Sequence, residues 1–62
     1  MLTEVKNVAS LSYTTQLRDF TAFSKDAGLR FDLFVRPTTQ LSGPLEGAIE
    51  AGAISLRNIP GL

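Results

Sequence analysis

Hydrophobic and polar positions follow two different periods along this chain. Over residues 2–9 (LTEVKNVA) the pattern alternates, placing Glu4 and Lys6 on one face of a strand and Val5 on the other. Ser10 to Ser12 reads as a short connection. From residue 14 to 27 the spacing turns helical. Tyr13, Leu17, Phe20, Phe23 or Ser24, and Ala27 form an apolar stripe, while Gln16, Arg18, Asp19, Lys25 and Asp26 take the other positions. Thr14 or Thr15 suits the N-cap, and Gly28 suits a left-handed stop.

The segment 30–36 (RFDLFVR) reads as a second strand, with Phe31, Leu33 and Val35 on one face and Phe34 adding apolar bulk to the other. Pro37 closes it. Residues 38–43 read as an ordinary loop, ending in the helix-start signal Ser42-Gly43-Pro44. Leu45, Ala48 and Ile49 give a short helix its apolar stripe, and Gly52 stops it. Residues 53–59 (AISLRNI) form the last predicted strand, halted by Pro60-Gly61.

The predicted order is β-α-β-α-β, which places the chain in the α/β class with a small, mainly parallel, three-stranded sheet. Right-handed crossovers with strands in chain order put both helices on one face of that sheet. The other face, with Phe34, is then left uncovered. The expectation is chain order, with an upstream segment or a second subunit supplying the missing cover.

Size sharpens that expectation. At 62 residues there is room for a single domain, read as one partial domain over 1–62. A chain of this length buries only about 60% of the surface its unfolded form exposes. There is no Cys and no His, which excludes disulfides, thiolate zinc sites and imidazole ligands as compensation. With 44% hydrophobic and 19% charged residues the composition is that of a folded protein. Six basic and six acidic residues cancel, so no overall positive field advertises nucleic-acid binding. No apolar run approaches the roughly 18 residues of a membrane span, and no signal peptide is recognisable at the N-terminus.

Candidate chemistry concentrates at Glu4-Val5-Lys6. Residues two apart on a strand project the same way, so a carboxylate and an ammonium converge on one point. Phosphodiester hydrolysis uses a hard divalent cation held by carboxylate oxygens, and a lysine to orient the attacking water and offset developing charge. Alone, the tripeptide has almost no specificity. Arg36, at the C-terminal end of the middle strand, lies where ligands gather in open α/β sheets and is a candidate phosphate contact. Asn7 points to the face opposite Lys6 and reads as a turn or sheet-edge residue. Asp32 is positioned to pair with Arg30 or Arg57 and has no catalytic role.

The wider context is more specific. The string E-V-K-N-V-x-x-L-S-Y-T-x-Q-L-R-D-F, followed by F-D-L-F-V-R-P-T-T-x-L-S-x-P-L and a terminal Gly/Ala-Ile-x-Leu-x-x-Ile-Pro pattern, resembles a family of toxin domains from Glu4 to Pro60. These are the restriction-endonuclease-fold, PD-(D/E)xK toxin domains of Rhs, YD-repeat and haemagglutinin-type bacterial polymorphic toxins. The resemblance implies the C-terminal part of a restriction-endonuclease-like fold. It also implies Glu4 as a metal ligand for Mg²⁺ or Mn²⁺ and Lys6 as the catalytic lysine. Gln16, with Arg18 nearby, matches polar helix positions that approach the active site, and Tyr13 contributes in the same way. Further implications are nucleic acid as substrate (DNA ahead of RNA), an immunity protein as partner, and the bacterial cytoplasm as the place of action after delivery of a secreted parent toxin.

The family's pattern also includes a metal-binding Asp on a strand upstream of Glu-x-Lys, which this sequence does not contain. One carboxylate and one lysine make a poor magnesium site. Three readings follow. The chain is a fragment of a toxin nuclease, inactive as a monomer; or it is a non-catalytic module that oligomerises or binds a cognate toxin or immunity protein; or a homo-oligomer or companion chain completes the site, with Asp19, Asp26 or Asp32 of a neighbour in place of the missing ligand.

Overall fold

The computed structural model describes residues 1–61 and has seven short elements. They are β1 (Leu2–Lys6), β2 (Ser10–Leu11), α1 (Thr15–Ala27), β3 (Phe31–Val35), β4 (Gln40–Leu41), α2 (Gly43–Glu50) and β5 (Ser55–Asn58). The helix boundaries follow their local chemistry. The Thr14 hydroxyl accepts from the Leu17 amide at 3.2 Å, and Gly28 ends α1 in the left-handed region at φ 68°. The Ser42 hydroxyl caps α2 by accepting from the Leu45 amide at 3.3 Å, with Pro44 in the first turn.

β1, β3 and β5 form one parallel sheet in chain order, as the strand pattern predicts. Leu2 pairs with Phe31, Glu4 with Leu33 and Lys6 with Val35, while Leu33 pairs with Leu56. All three strands are shorter than their predicted spans. Phe31, Leu33 and Val35 are buried with Leu17 of α1, Leu45 of α2 and Ile54 in a single core. Both helices therefore cover the same face of the sheet. Phe20 flanks that core, meeting the Phe31 ring edge-on at 6.1 Å between centroids.

Of the two alternatives at the end of the helix stripe the structure buries Ser24, and it corrects the stripe by adding Thr21 and leaving Ala27 exposed. Phe23 is 58% exposed, whereas Thr21 and Ser24 are buried. Each hydroxyl donates to a carbonyl of its own helix, Thr21 to Leu17 at 2.7 Å and Ser24 to Thr21 at 2.9 Å. These two side chains thus enter the interior without an unsatisfied hydroxyl, and their small size suits a helix lying against a sheet.

A second correction concerns the two connections. Residues 10–12 and 38–43 are not plain loops: β2 pairs with β4 in a second parallel ladder, Ser10 opposite Gln40 and Leu11 opposite Leu41. This ladder continues the run of β1 beside β3 after an interruption. Three residues separate β1 from β2 but four separate β3 from β4, so the register slips by one. The extra residue is absorbed in the turn after Arg36, where the Thr39 hydroxyl donates to the Val8 carbonyl at 2.9 Å.

The face away from the helices carries Val5, Asp32, Phe34 and Arg57. No element among the described residues packs on it, as the chain-order topology implies. Val5 is 55% exposed and Phe34, opposite it, half-buried, yet Asp32, two residues before Phe34 on the same face, is only 3% exposed. Arg30 meets one of its oxygens at 3.0 Å, and the Arg57 Nε lies 3.9 Å from the other, Oδ1, which has no hydrogen-bond partner. Asp32 therefore pairs with both arginines that the sequence offered it. Among the described residues, no helix is long and apolar enough to cross a membrane.

Candidate functional site

β1 lies at an edge of the three-stranded sheet, and its two-residue period turns Glu4 and Lys6 toward the helix side. There they meet the first turn of α1. The Lys6 ammonium donates to the Gln16 side-chain carbonyl at 2.9 Å and lies 4.0 Å from a Glu4 carboxylate oxygen. The first contact is a hydrogen bond; the second is an ion pair without one. An ammonium has three N–H donors, so two remain for an incoming anion or water. Both charged side chains are about one-quarter exposed, at 26% and 25%. Solvent and a ligand can reach them, and their chains are still held by the strand and the helix.

The other candidate residues lie in two separate groups. Arg18 stacks over the Tyr13 ring, 4.5 Å from its centroid, and its Nε donates to the Tyr13 carbonyl at 3.2 Å. Tyr13 itself packs on the core. Arg18 thus has a fixed place on the surface with part of its donor fork free. Arg36 is tied to Asn7: its Nε donates to the Asn7 side-chain oxygen, and its Nη2 lies 3.4 Å from the Asn7 carbonyl. These two residues, with Pro37 and Thr38, line an open groove of about 510 Å³ at the C-terminal ends of β1 and β3.

The Asn7–Arg36 link escaped the reading of the sequence. The strand register carries the signal for it, because a pairing of Lys6 with Val35 makes Asn7 and Arg36 the next opposed residues. Neither sequence segment reveals that register alone. Gln16 meets Lys6 across ten positions of sequence, a contact that periodicity alone does not announce.

Among the described residues, no group of three or more His, Cys, Asp or Glu side chains is placed to hold a metal ion. The site has a single carboxylate, Glu4, beside a cation and an amide. This donor set does not by itself fit a divalent metal.

Compared with protein-family models, residues 1–45 match the one described as restriction endonuclease fold toxin 7. No curated protein and no solved structure matches the chain significantly.

Proposed function

Since the chain belongs to the restriction endonuclease fold toxin 7 family, a nuclease-type toxin domain that generally uses divalent metals, we propose that Glu4, Lys6 and Gln16 are the catalytic half of its phosphodiester-hydrolysing site. One observation carries this reading: strand alternation and the first turn of α1 bring these three side chains together at the sheet edge. Lys6 supplies a positive charge and free N–H donors where negative charge develops on the phosphoryl oxygens. Gln16 fixes the ammonium from one side and leaves the other open. Glu4 is the anionic member, and would be one ligand of a Mg²⁺ or Mn²⁺ ion in a completed site.

Because the donor set present here does not fit a metal, the site requires at least one further carboxylate. In this reading an upstream Asp-bearing strand supplies it, and the 62 residues form the C-terminal part of the working domain. The substrate is nucleic acid, with DNA ahead of RNA. Arg18, backed by Tyr13, and Arg36 are positioned as backbone contacts. Action takes place in the cytoplasm of a target bacterium after delivery by a secreted Rhs, YD-repeat or haemagglutinin-type parent toxin.

The test at this level is the chain alone. Incubated with supercoiled plasmid and Mg²⁺ or Mn²⁺, it is expected to leave the plasmid intact. Metal-dependent nicking that disappears in a Lys6→Ala variant would show that the half-site suffices and contradict the reading.

A second reading, a non-catalytic module that oligomerises or binds a cognate toxin or immunity protein, is favoured by the uncovered sheet face. Exposed Val5 and half-buried Phe34 lie there beside a buried carboxylate oxygen that lacks a hydrogen-bond partner.

A further inference from the structure

The arginines of the sheet differ in what holds them. Arg30 and Arg57 flank the Asp32 carboxylate, which offsets their charge. Arg36 is held by neutral groups instead. Its Nε donates to the Asn7 side-chain oxygen, and its Nη2 lies 3.4 Å from the Asn7 carbonyl. Among the described residues no carboxylate forms an ion pair with it. A guanidinium has five N–H donors. Asn7 engages two of them, so the rest stay free and the positive charge stays uncompensated.

The strand register sets the place of this pair. Lys6 is the last residue of β1 paired with β3, opposite Val35, and pairing resumes at Ser10 with Gln40. In the interval side chains bridge the two segments: Arg36 bonds to Asn7, and the Thr39 hydroxyl to the Val8 carbonyl. The Thr39 amide donates to the Arg36 carbonyl at 3.1 Å, folding Pro37 and Thr38 into a tight turn beside the guanidinium. The groove of about 510 Å³ lined by Asn7, Arg36, Pro37 and Thr38 lies here. It sits at the carboxyl ends of β1 and β3, where ligands of open α/β sheets gather. A further strand beside β1 would run along its outer edge and leave this interval as it is.

We propose that the groove holds a phosphate of the nucleic-acid substrate next to the one that meets Lys6, and that Asn7 positions Arg36 for it. The inference rests on the nucleic-acid reading of the site given above. Strand alternation sets Lys6 and Arg36 one register step apart on opposite faces, so a strand of nucleic acid crossing the ends of β1 and β3 meets both. An uncharged acceptor suits this task. It fixes the guanidinium plane without cancelling the charge that attracts phosphate. Gln16 holds the Lys6 ammonium by the same device, accepting from it at 2.9 Å.

The experiment is an NMR titration of the isotope-labelled chain with a short DNA duplex, without metal. The Arg36 Nε–H signal, assigned by its loss in Arg36→Ala, is expected to move saturably. Arg36→Ala should weaken duplex binding about tenfold or more and lower its salt slope by about one unit. Asn7→Ala should weaken binding about fivefold. Asn7→Asp separates positioning from a merely structural link. It keeps the acceptor, so stability in urea should equal or exceed wild type. Its charge offsets that of Arg36, so binding should fall at least as far as in Arg36→Ala. Inorganic phosphate at the same ionic strength should move the signal far less than the duplex does. An Arg36 signal unmoved by the duplex, an equal response to free phosphate, or wild-type affinity in Asn7→Asp would each overturn the proposal. Because no cleavage is followed, failure here leaves the Lys6 half-site standing. Cleavage that survives Lys6→Ala in a completed domain would instead remove the half-site and leave this groove.

Discussion

At Asp32, a nearly buried carboxylate sits on a face that is otherwise open, held at 3.0 Å by an arginine that is itself more than half exposed. Removing one member of such a pair differs from removing the carboxylate. Arg30→Ala leaves the charge buried with only Arg57 at 3.9 Å, and is expected to cost about 1–3 kcal/mol. Asp32→Val removes the burden and frees two solvated arginines, so its effect should be near neutral, within about 1 kcal/mol, or stabilising. Urea denaturation of the two variants checks the order; a larger loss for Asp32→Val would contradict it. Pairing of Asp32 with Arg30 and Arg57 was legible in the sequence, because these are the nearby cations. Its burial was not, since the pairing with Arg57 depends on the register of β3 against β5.

The helices show where element-level reading works and where it stops. Capping chemistry placed α1 within a residue of its observed limits, because Thr14 and Gly28 act locally. The buried face was harder to assign. The stripe read from the sequence held Leu17 and Phe20 but left Phe23 and Ser24 as alternatives and did not include Thr21. The structure buries Thr21 and Ser24 and exposes Phe23, and the two hydroxyls tolerate burial because each bonds within the helix. Two outcomes follow. Phe23→Lys should change stability by less than about 0.5 kcal/mol, as a surface substitution. Ser24→Leu should cost about 1–3 kcal/mol by overpacking the contact with the sheet. Thermal or chemical unfolding decides between the two faces, and the reverse ranking would refute the assignment. The strands β2 and β4 were illegible for a different reason: two residues each cannot display a period, and their pairing follows only from the longer ladder before them.

For the molecule as a whole, the alternation of strand and helix gave the parallel sheet, and the apolar character of residues 30–36 favoured the central place that β3 takes among the described residues. Half of the candidate site was legible too, because Glu4 and Lys6 two apart on a strand must share a face. The contact with Gln16 required the crossover geometry of α1, and the Asn7–Arg36 link required the register of β1 against β3. Among the described residues one sheet face and the two outer strand edges, β1 and β5, are uncovered, and the proposed half-site lies along β1. In the proposed site Gln16 would position Lys6 through their 2.9 Å hydrogen bond, so in a completed domain Gln16→Ala should slow cleavage less than Lys6→Ala does. Equal losses would contradict that order.

The central claim is that Glu4 and Lys6 are half of a nuclease site that needs a carboxylate from outside these residues. Its most direct test joins the chain to an upstream Asp-bearing segment from a toxin of the same family and follows plasmid cleavage with Mg²⁺ or Mn²⁺. The joined protein should cleave where the 62-residue chain does not, and Lys6→Ala should lower its rate about a hundredfold or more. Cleavage that survives Lys6→Ala at the unmodified rate would contradict the account.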